Sequence, residues 1–300
     1  MDILSISNLS KSFGQTRVID GISFSVPEHA VFGFIGANGA GKTTTMKMIL
    51  GLLKADGGEV AVCGEKVTFG ATKTNRHIGY LPDVPEFYNY MRPKEYLRLC
   101  GEITGLPHTS INNRCDELLE LVGLAGVRKK IGGFSRGMKQ RLGVAQALLN
   151  EPKLLICDEP TSALDPVGRK EILDILRQIS RKTTVIFSTH ILSDVERICN
   201  QAAVLNKGKI ALAGTLADLK ARHKADSLHI EFVSAADKAR FISVYGLSAE
   251  QSETGITLRG GDIEGIEAKA LQILAQNDIL PIRLEVAEST IESLFLEVVQ

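Results

Sequence analysis

Apolar residues along this chain recur in two rhythms, and the switching between them predicts its architecture. Residues 3–9 read as a strand, and Ile22, Phe24 and Val26 alternate with small polar residues as a second. An apolar run over 30–35 predicts a buried strand. Met46, Ile49, Leu50 and Leu53 follow at the i, i+3, i+4, i+7 spacing of a helix with one buried face. Residues 58–63 return to a strand-like pattern. Around 92–149 the pattern turns helical, with Pro93 suited to a first turn and Cys115, Leu118, Leu119 and Val122 on one face. Then 154–157 reads as strand, 167–180 as helix, 184–187 as strand and 191–199 as helix. Short strands that are apolar throughout, separated by helices, predict a mostly parallel sheet with helices on its faces. The helical region of about residues 92–150 is an insertion into it. A polar, charged stretch at 220–226 predicts a link between two domains, 1–222 and 227–300. In the second, 228–232, 239–244, 255–259, 268–275 and 282–286 read as strand, helix, strand, helix, strand. A further strand near 248–251 would complete a small split β-α-β sheet of α+β class.

Composition adds little beyond exclusions. Three hundred residues suffice for two domains, and hydrophobic and charged fractions of 44% and 23% are those of an ordinary globular protein. Lys+Arg and Asp+Glu both number 35, so no overall field draws the chain to nucleic acid or to an anionic membrane. Cys63, Cys100, Cys115, Cys157 and Cys199 are well separated and show no zinc-like spacing, which predicts free thiols in a reducing cytosol. The amino terminus lacks the basic start and apolar core of a secretion signal, and no apolar run approaches the ~20 residues of a spanning helix. If the protein serves a membrane, another chain provides the membrane part.

The chemistry begins at residues 36–43, Gly-Ala-Asn-Gly-Ala-Gly-Lys-Thr, which match the phosphate-cradling pattern G-x-x-x-x-G-K-[ST] between a strand and a helix. Gly36, Ala37, Asn38, Gly39, Ala40 and Gly41 form the loop, whose glycines let backbone N–H groups close on phosphate oxygens. The helix that follows, through Thr44 and beyond, presents its positive end to an anion. Lys42 can reach the β- and γ-phosphates, and the Thr43 hydroxyl can ligate Mg²⁺. The chain therefore reads as a binder of a nucleoside triphosphate. Downstream, the apolar strand 154–157 ends in two carboxylates. Asp158 at its tip can hold Mg²⁺ through the metal's water shell, and Glu159 is placed to orient or deprotonate the attacking water.

Between these motifs, residues 134–141 read Phe-Ser-Arg-Gly-Met-Lys-Gln-Arg. With them the sequence resembles the ATP-binding subunit of ABC transporters, in which a Leu-Ser-Gly-Gly-Gln segment stands shortly before the carboxylate strand. The resemblance covers residues 1 to about 220. It identifies Asp165, in Ser162-Ala163-Leu164-Asp165, with the family's D-loop, His190 with its switch histidine, and Phe13 with the aromatic that stacks on adenine. It implies a P-loop ATPase fold, ATP and Mg²⁺ as ligands, and Lys42, Glu159 and His190 as catalytic residues. Two copies, identical or related, would pack head to tail, with Ser135, Arg136, Gly137 and Met138 acting on the partner's γ-phosphate. A separate membrane permease subunit is implied, with the ATPase peripheral on the cytoplasmic face of the cell membrane.

The pattern departs from the family at two places. Asp83 stands where the family has a Gln, and a carboxylate can ligate Mg²⁺ or its waters but cannot donate an amide's hydrogen bonds. In the 134–138 segment Phe134, Arg136 and Met138 replace Leu, Gly and Gln, while Ser135 and Gly137 remain. Such variants resemble the branch that exports drugs, lipids, peptides or sodium, and residues 289–299 resemble that branch too. Tyr80, Phe87, Tyr88, Tyr90, Met91 and Tyr96 cluster after this point, an enrichment typical of protein contacts. The competing expectations are a soluble ABC-type ATPase acting on nucleic acid or ribosomes, a GTPase and an inactive regulatory subunit. A single phosphate loop, no basic surplus, no Asn-Lys-x-Asp segment and the intact Lys42, Asp158, Glu159 and His190 count against them.

Overall fold

The computed structural model describes residues 2–70, 73–222, 227–246, 250–251, 254–260, 262–286 and 290–299. The chain opens with a hairpin of β1 (Asp2–Phe13) and β2 (Thr16–Pro27), then β3 (Val31–Gly36), α1 (Lys42–Ile49), β4 (Gly57–Val62) and the two-residue β5 (Glu65–Lys66). Next come β6 (Ile78–Leu81) and three helices, α2 (Pro93–Ile103), α3 (His108–Leu121) and α4 (Arg136–Ala147). β7 (Leu154–Asp158), α5 (Pro166–Ile179), β8 (Thr184–Thr189) and α6 (Leu192–Ile198) alternate. They are followed by the hairpin of β9 (Gln201–Asn206) and β10 (Lys209–Thr215) and by α7 (Leu216–Arg222).

Two sheets organise this part. The first runs β2-β1-β4-β5 and is antiparallel. The second runs β10-β9-β3-β8-β7-β6, parallel except for the β9–β10 hairpin. β3, β7 and β8 are buried at every position, as strands covered on both faces must be. Their carboxyl ends, at Gly36, Asp158 and Thr189, lie side by side, the edge at which open α/β sheets bind ligands. Phe24 stacks on Phe32 and Phe34 at 5.5 and 5.4 Å, tying the antiparallel sheet to the parallel one. The helical region divides into α2, α3 and α4, and Cys115, Leu118, Leu119 and Val122 all face its core. All five cysteines are free.

Differences from the sequence reading fall where pattern is weakest. β6 is only four residues long and joins the sheet by pairing with β7. β9 and β10 follow α6 with Ala and Gly at many positions, so no alternation marks them.

The chain folds into two compact units, residues 1–219 with 295–300, and residues 220–294. The second contains β11 (Ser227–Phe232), α8 (Ala235–Tyr245), β12 (Glu250–Gln251), β13 (Gly255–Arg259), α9 (Ile263–Gln276) and β14 (Pro281–Val286), and α10 (Ile291–Val299) closes the chain. Its sheet has the order β12-β13-β11-β14, antiparallel throughout, which is the split β-α-β arrangement. Of the expected elements, residues 223–226, 248–249 and 289 lie outside the described residues. Phe232, Phe241 and Tyr245 form an aromatic stack, with centroids 5.4 Å apart at each step, at the centre of this unit. Phe241 is fully buried. Phe241→Ala should therefore cost about 3–5 kcal/mol of stability, read as a lower denaturant midpoint.

Candidate functional site

The phosphate loop leaves β3 at Gly36 and enters α1 at Lys42. Its glycines are there for space and for backbone freedom. A Cβ on Gly36 would stand 2.8 Å from the Leu205 carbonyl oxygen. At Gly41 the backbone has φ +109°, and a Cβ would stand 2.4 Å from Ile19 Cδ1. Gly41 caps α1 without a side-chain hydrogen bond, so the first-turn N–H groups are left for an anion. Ala37, Asn38 and Gly39 are exposed, Ala40 and Thr44 half-buried.

Lys42 is buried beneath the loop. Its Nζ donates to the carbonyls of Gly36 at 2.7 Å and Ala37 at 3.3 Å and pairs with Glu159 Oε1 at 3.0 Å. Those three partners use all three of its donors. Beside it, Thr43 Oγ1 donates to Asp158 Oδ2 at 2.8 Å. Asp158 ends β7, only 4% exposed, and its other oxygen accepts from Ser188 Oγ at 2.6 Å. Ser188 Oγ also accepts from the Glu159 N–H at 3.0 Å. The backbone of Glu159 is left-handed, φ 48°, which turns its side chain back toward Lys42 and His190. His190 Nδ1 lies 2.9 Å from Glu159 Oε2. Burial and the charge of Asp158 push the neighbouring Tyr80 phenol up to about 12, so it stays protonated.

Lys42, Thr43, Asp158, Glu159 and His190 thus form one continuous chain of polar contacts. Ser188 is its hub, and sequence reasoning missed it. The only signal was a hydroxyl near the end of β8, two residues before His190. Thr43 and Asp158 supply hard oxygen donors suited to Mg²⁺. Among the described residues no group of three or more His, Cys, Asp or Glu closes a metal cage.

The remaining expected residues make no hydrogen bond or ion pair with this cluster among the described residues. Phe13, at the end of β1, has a ring 51% exposed, with Lys11 Nζ 5.5 Å from its centroid. Ser135 caps α4, accepting from the Met138 N–H at 3.2 Å. Asp165 caps α5, accepting from the Gly168 N–H at 3.3 Å. Ser135, Arg136, Gly137 and Met138 line a surface cleft of about 240 Å³ together with Leu164 and Asp165. The two departures from the family pattern face each other: Arg136 lies 3.5 Å from Asp83 Oδ1. Asp83 therefore sits beside a guanidinium.

Below this pair, the fully buried Gln140 donates from Nε2 to the carbonyls of Asp83, at 3.0 Å, and Pro160, at 3.3 Å. Gln140→Leu strands both carbonyls and should lower stability by about 1–3 kcal/mol, measured by thermal unfolding.

The aromatic cluster divides. Tyr96 belongs to the core, 6% exposed, its hydroxyl 3.0 Å from Gln146 Oε1. Tyr80 is half-buried, whereas Tyr88 and Tyr90 are 53% and 69% exposed, with ring centroids 5.9 Å apart. No helix among the described residues is long and apolar enough to cross a membrane.

A family model described as ABC transporter matches residues 19–162. The bacitracin transport ATP-binding protein BcrA of Bacillus licheniformis is 34% identical over 304 residues, covering 99% of this chain and 97% of its own. The linearmycin resistance ATP-binding protein LnrL of Bacillus subtilis is 33% identical over 302 residues, covering 98% and 97%. Among solved structures, cbiO1 from Clostridium perfringens, part of the ABC transporter complex cbiONQ, superposes with a TM-score of 0.68 at 27% identity. That match covers 73% of this chain and 91% of the other.

Proposed function

This chain belongs to the ABC transporter family as an ATP-binding subunit, an ATPase coupled to export, and we propose that it works as one of a pair that closes on Mg²⁺-ATP beneath a membrane permease subunit. The observation that carries the reading is the contact chain from Lys42 and Thr43 through Asp158 and Ser188 to Glu159 and His190. The α1 N-terminus and Lys42 neutralise phosphate charge. Thr43 and Asp158 would hold Mg²⁺, which when bound offsets charge on the phosphate oxygens. Glu159 orients the attacking water and accepts its proton, and His190, on Glu159 Oε2, fixes that carboxylate in place. The exposed Phe13 ring is free to stack on adenine.

Pairing follows from where Ser135 stands. Its cap position and Gly137 form the opening of α4, a helix N-terminus that makes no hydrogen bond or ion pair with the Lys42 cluster among the described residues. A second copy or a related subunit packed head to tail brings that opening to the first subunit's γ-phosphate, with Arg136 and Met138 beside it and Asp165 across the cleft. In that state Asp83, beside Arg136, would offer a carboxylate oxygen to the metal's water shell. The ATPase would then lie on the cytoplasmic face of the cell membrane, with no role for nucleic acid.

The exposed Tyr88 and Tyr90, with the half-buried Phe87, form the surface that receives the permease. Replacing these three by Ser should detach the protein from membranes while the isolated subunit keeps its ATPase activity; fractionation alongside a phosphate-release assay reads both. The whole reading is tested by affinity purification from detergent-solubilised membranes of the native host. An integral membrane protein retained in stoichiometric amount, together with Mg²⁺-dependent ATP hydrolysis, is expected. Its absence from the preparation would remove the transport assignment.

A further inference from the structure

The run Arg128-Lys129-Lys130 stands on the loop between α3 and α4, exposed at all three positions. Among the described residues none of the three pairs with a carboxylate. Most other cations of the helical region do: Arg92 with Glu95, Lys94 with Asp116, Arg98 with Glu102, Arg114 with Glu117. In a chain of zero formal net charge this is a local excess of positive charge. It is also fastened to the tyrosine segment. The Ile131 N–H donates to the Met91 carbonyl at 2.9 Å and the Gly132 N–H to the Asn89 carbonyl at 3.0 Å. The basic run and the exposed Tyr88–Tyr90 pair are therefore held on neighbouring strips of backbone. Arg128 further rims a cleft of about 570 Å³ that Glu95, Asp116 and Glu120 also line, the first two paired with Arg92 and Lys94.

We infer that the segment of the membrane subunit that docks here is acidic, its carboxylates seated against Arg128, Lys129 and Lys130 and its apolar side chains laid on Tyr88 and Tyr90. The inference rests on the proposal that this chain serves a membrane subunit. Charge complementarity selects the occupant. Three cations without a carboxylate partner, Lys129 lying 5.5 Å over the Phe134 ring, repel a basic segment and leave a neutral one unrewarded, whereas an acidic one is drawn in from solution. Exposed aromatic rings beside the cations favour a protein segment over a lipid headgroup layer. Rim ion pairs are individually weak and are screened by salt, so the contact must be salt-sensitive.

The test is co-purification of the full chain with its membrane subunit in detergent, at about 0.05 M and about 0.5 M NaCl. For wild type, the retained membrane subunit should fall at high salt. The triple variant Arg128→Glu, Lys129→Glu, Lys130→Glu should retain at least about tenfold less at low salt, equivalent to about 1.4 kcal/mol, with unchanged ATPase activity of the isolated subunit. Changing carboxylates of the membrane segment to Lys should restore binding to the variant. If the Glu variant melts early, the milder Arg128→Gln, Lys129→Gln, Lys130→Gln should still abolish the salt dependence. Equal retention of the membrane subunit by wild type and variants at both salts would overturn the inference alone. Loss of binding to phosphatidylglycerol vesicles with the detergent complex intact would overturn it in favour of a lipid site. A wild-type preparation with no membrane subunit would overturn it together with the functional proposal.

Discussion

Glu159→Gln should bind ATP, hold the subunit pair closed and hydrolyse at least about 100-fold more slowly than wild type. The substitution keeps the shape of a side chain wedged between Lys42 Nζ at 3.0 Å and His190 Nδ1 at 2.9 Å. The amide oxygen can still accept from either partner, so the local packing survives. What disappears is the basicity needed to draw a proton from the attacking water. Single-turnover hydrolysis, with nucleotide binding measured separately, distinguishes the two effects. Near-normal turnover would take Glu159 out of its assigned role, and loss of ATP binding would mean that the side chain shapes the phosphate site instead.

Lys42→Ala should weaken ATP binding by roughly 10- to 100-fold and nearly abolish hydrolysis, since a charge-assisted hydrogen bond contributes about 1.5–3 kcal/mol. In the structure its three donors are taken by Gly36, Ala37 and Glu159, so a triphosphate competes with those partners for the ammonium. The substitution also strips the Gly36 and Ala37 carbonyls and the Glu159 carboxylate of that partner, which should lower stability by about 1–3 kcal/mol as well. Calorimetric titration with a slowly hydrolysed ATP analogue measures the affinity, and a thermal melt confirms the fold. An unchanged affinity would contradict the placement of Lys42 under the phosphates.

Local features were the readable ones. The octapeptide at 36–43 encodes its own geometry, because glycine spacing and a flanking strand and helix are properties of adjacent residues. The same holds for the carboxylates that end an all-apolar β7. Contacts made across the fold were not readable. Ser188 binds Asp158 and the Glu159 N–H from a neighbouring strand, and nothing near it in the chain announces that partner. Arg136 and Asp83 looked like two separate departures from the family pattern until the fold set them 3.5 Å apart. The tyrosine cluster read as one surface, yet Tyr96 turned inward, because its place on α2 aims it at Gln146. Strands β9 and β10, rich in Ala and Gly, were hidden because their pairing with each other and with β3 is made across the fold.

Gln140 gives the molecule a mechanical linkage. One amide grips the carbonyl of Asp83, at the root of the tyrosine-bearing loop, and the carbonyl of Pro160, the residue after Glu159. It is fully buried and cannot swing aside into solvent. One buried side chain therefore joins the loop to the peptide beside the carboxylate that handles water, and the two cannot part without breaking a hydrogen bond that no solvent replaces.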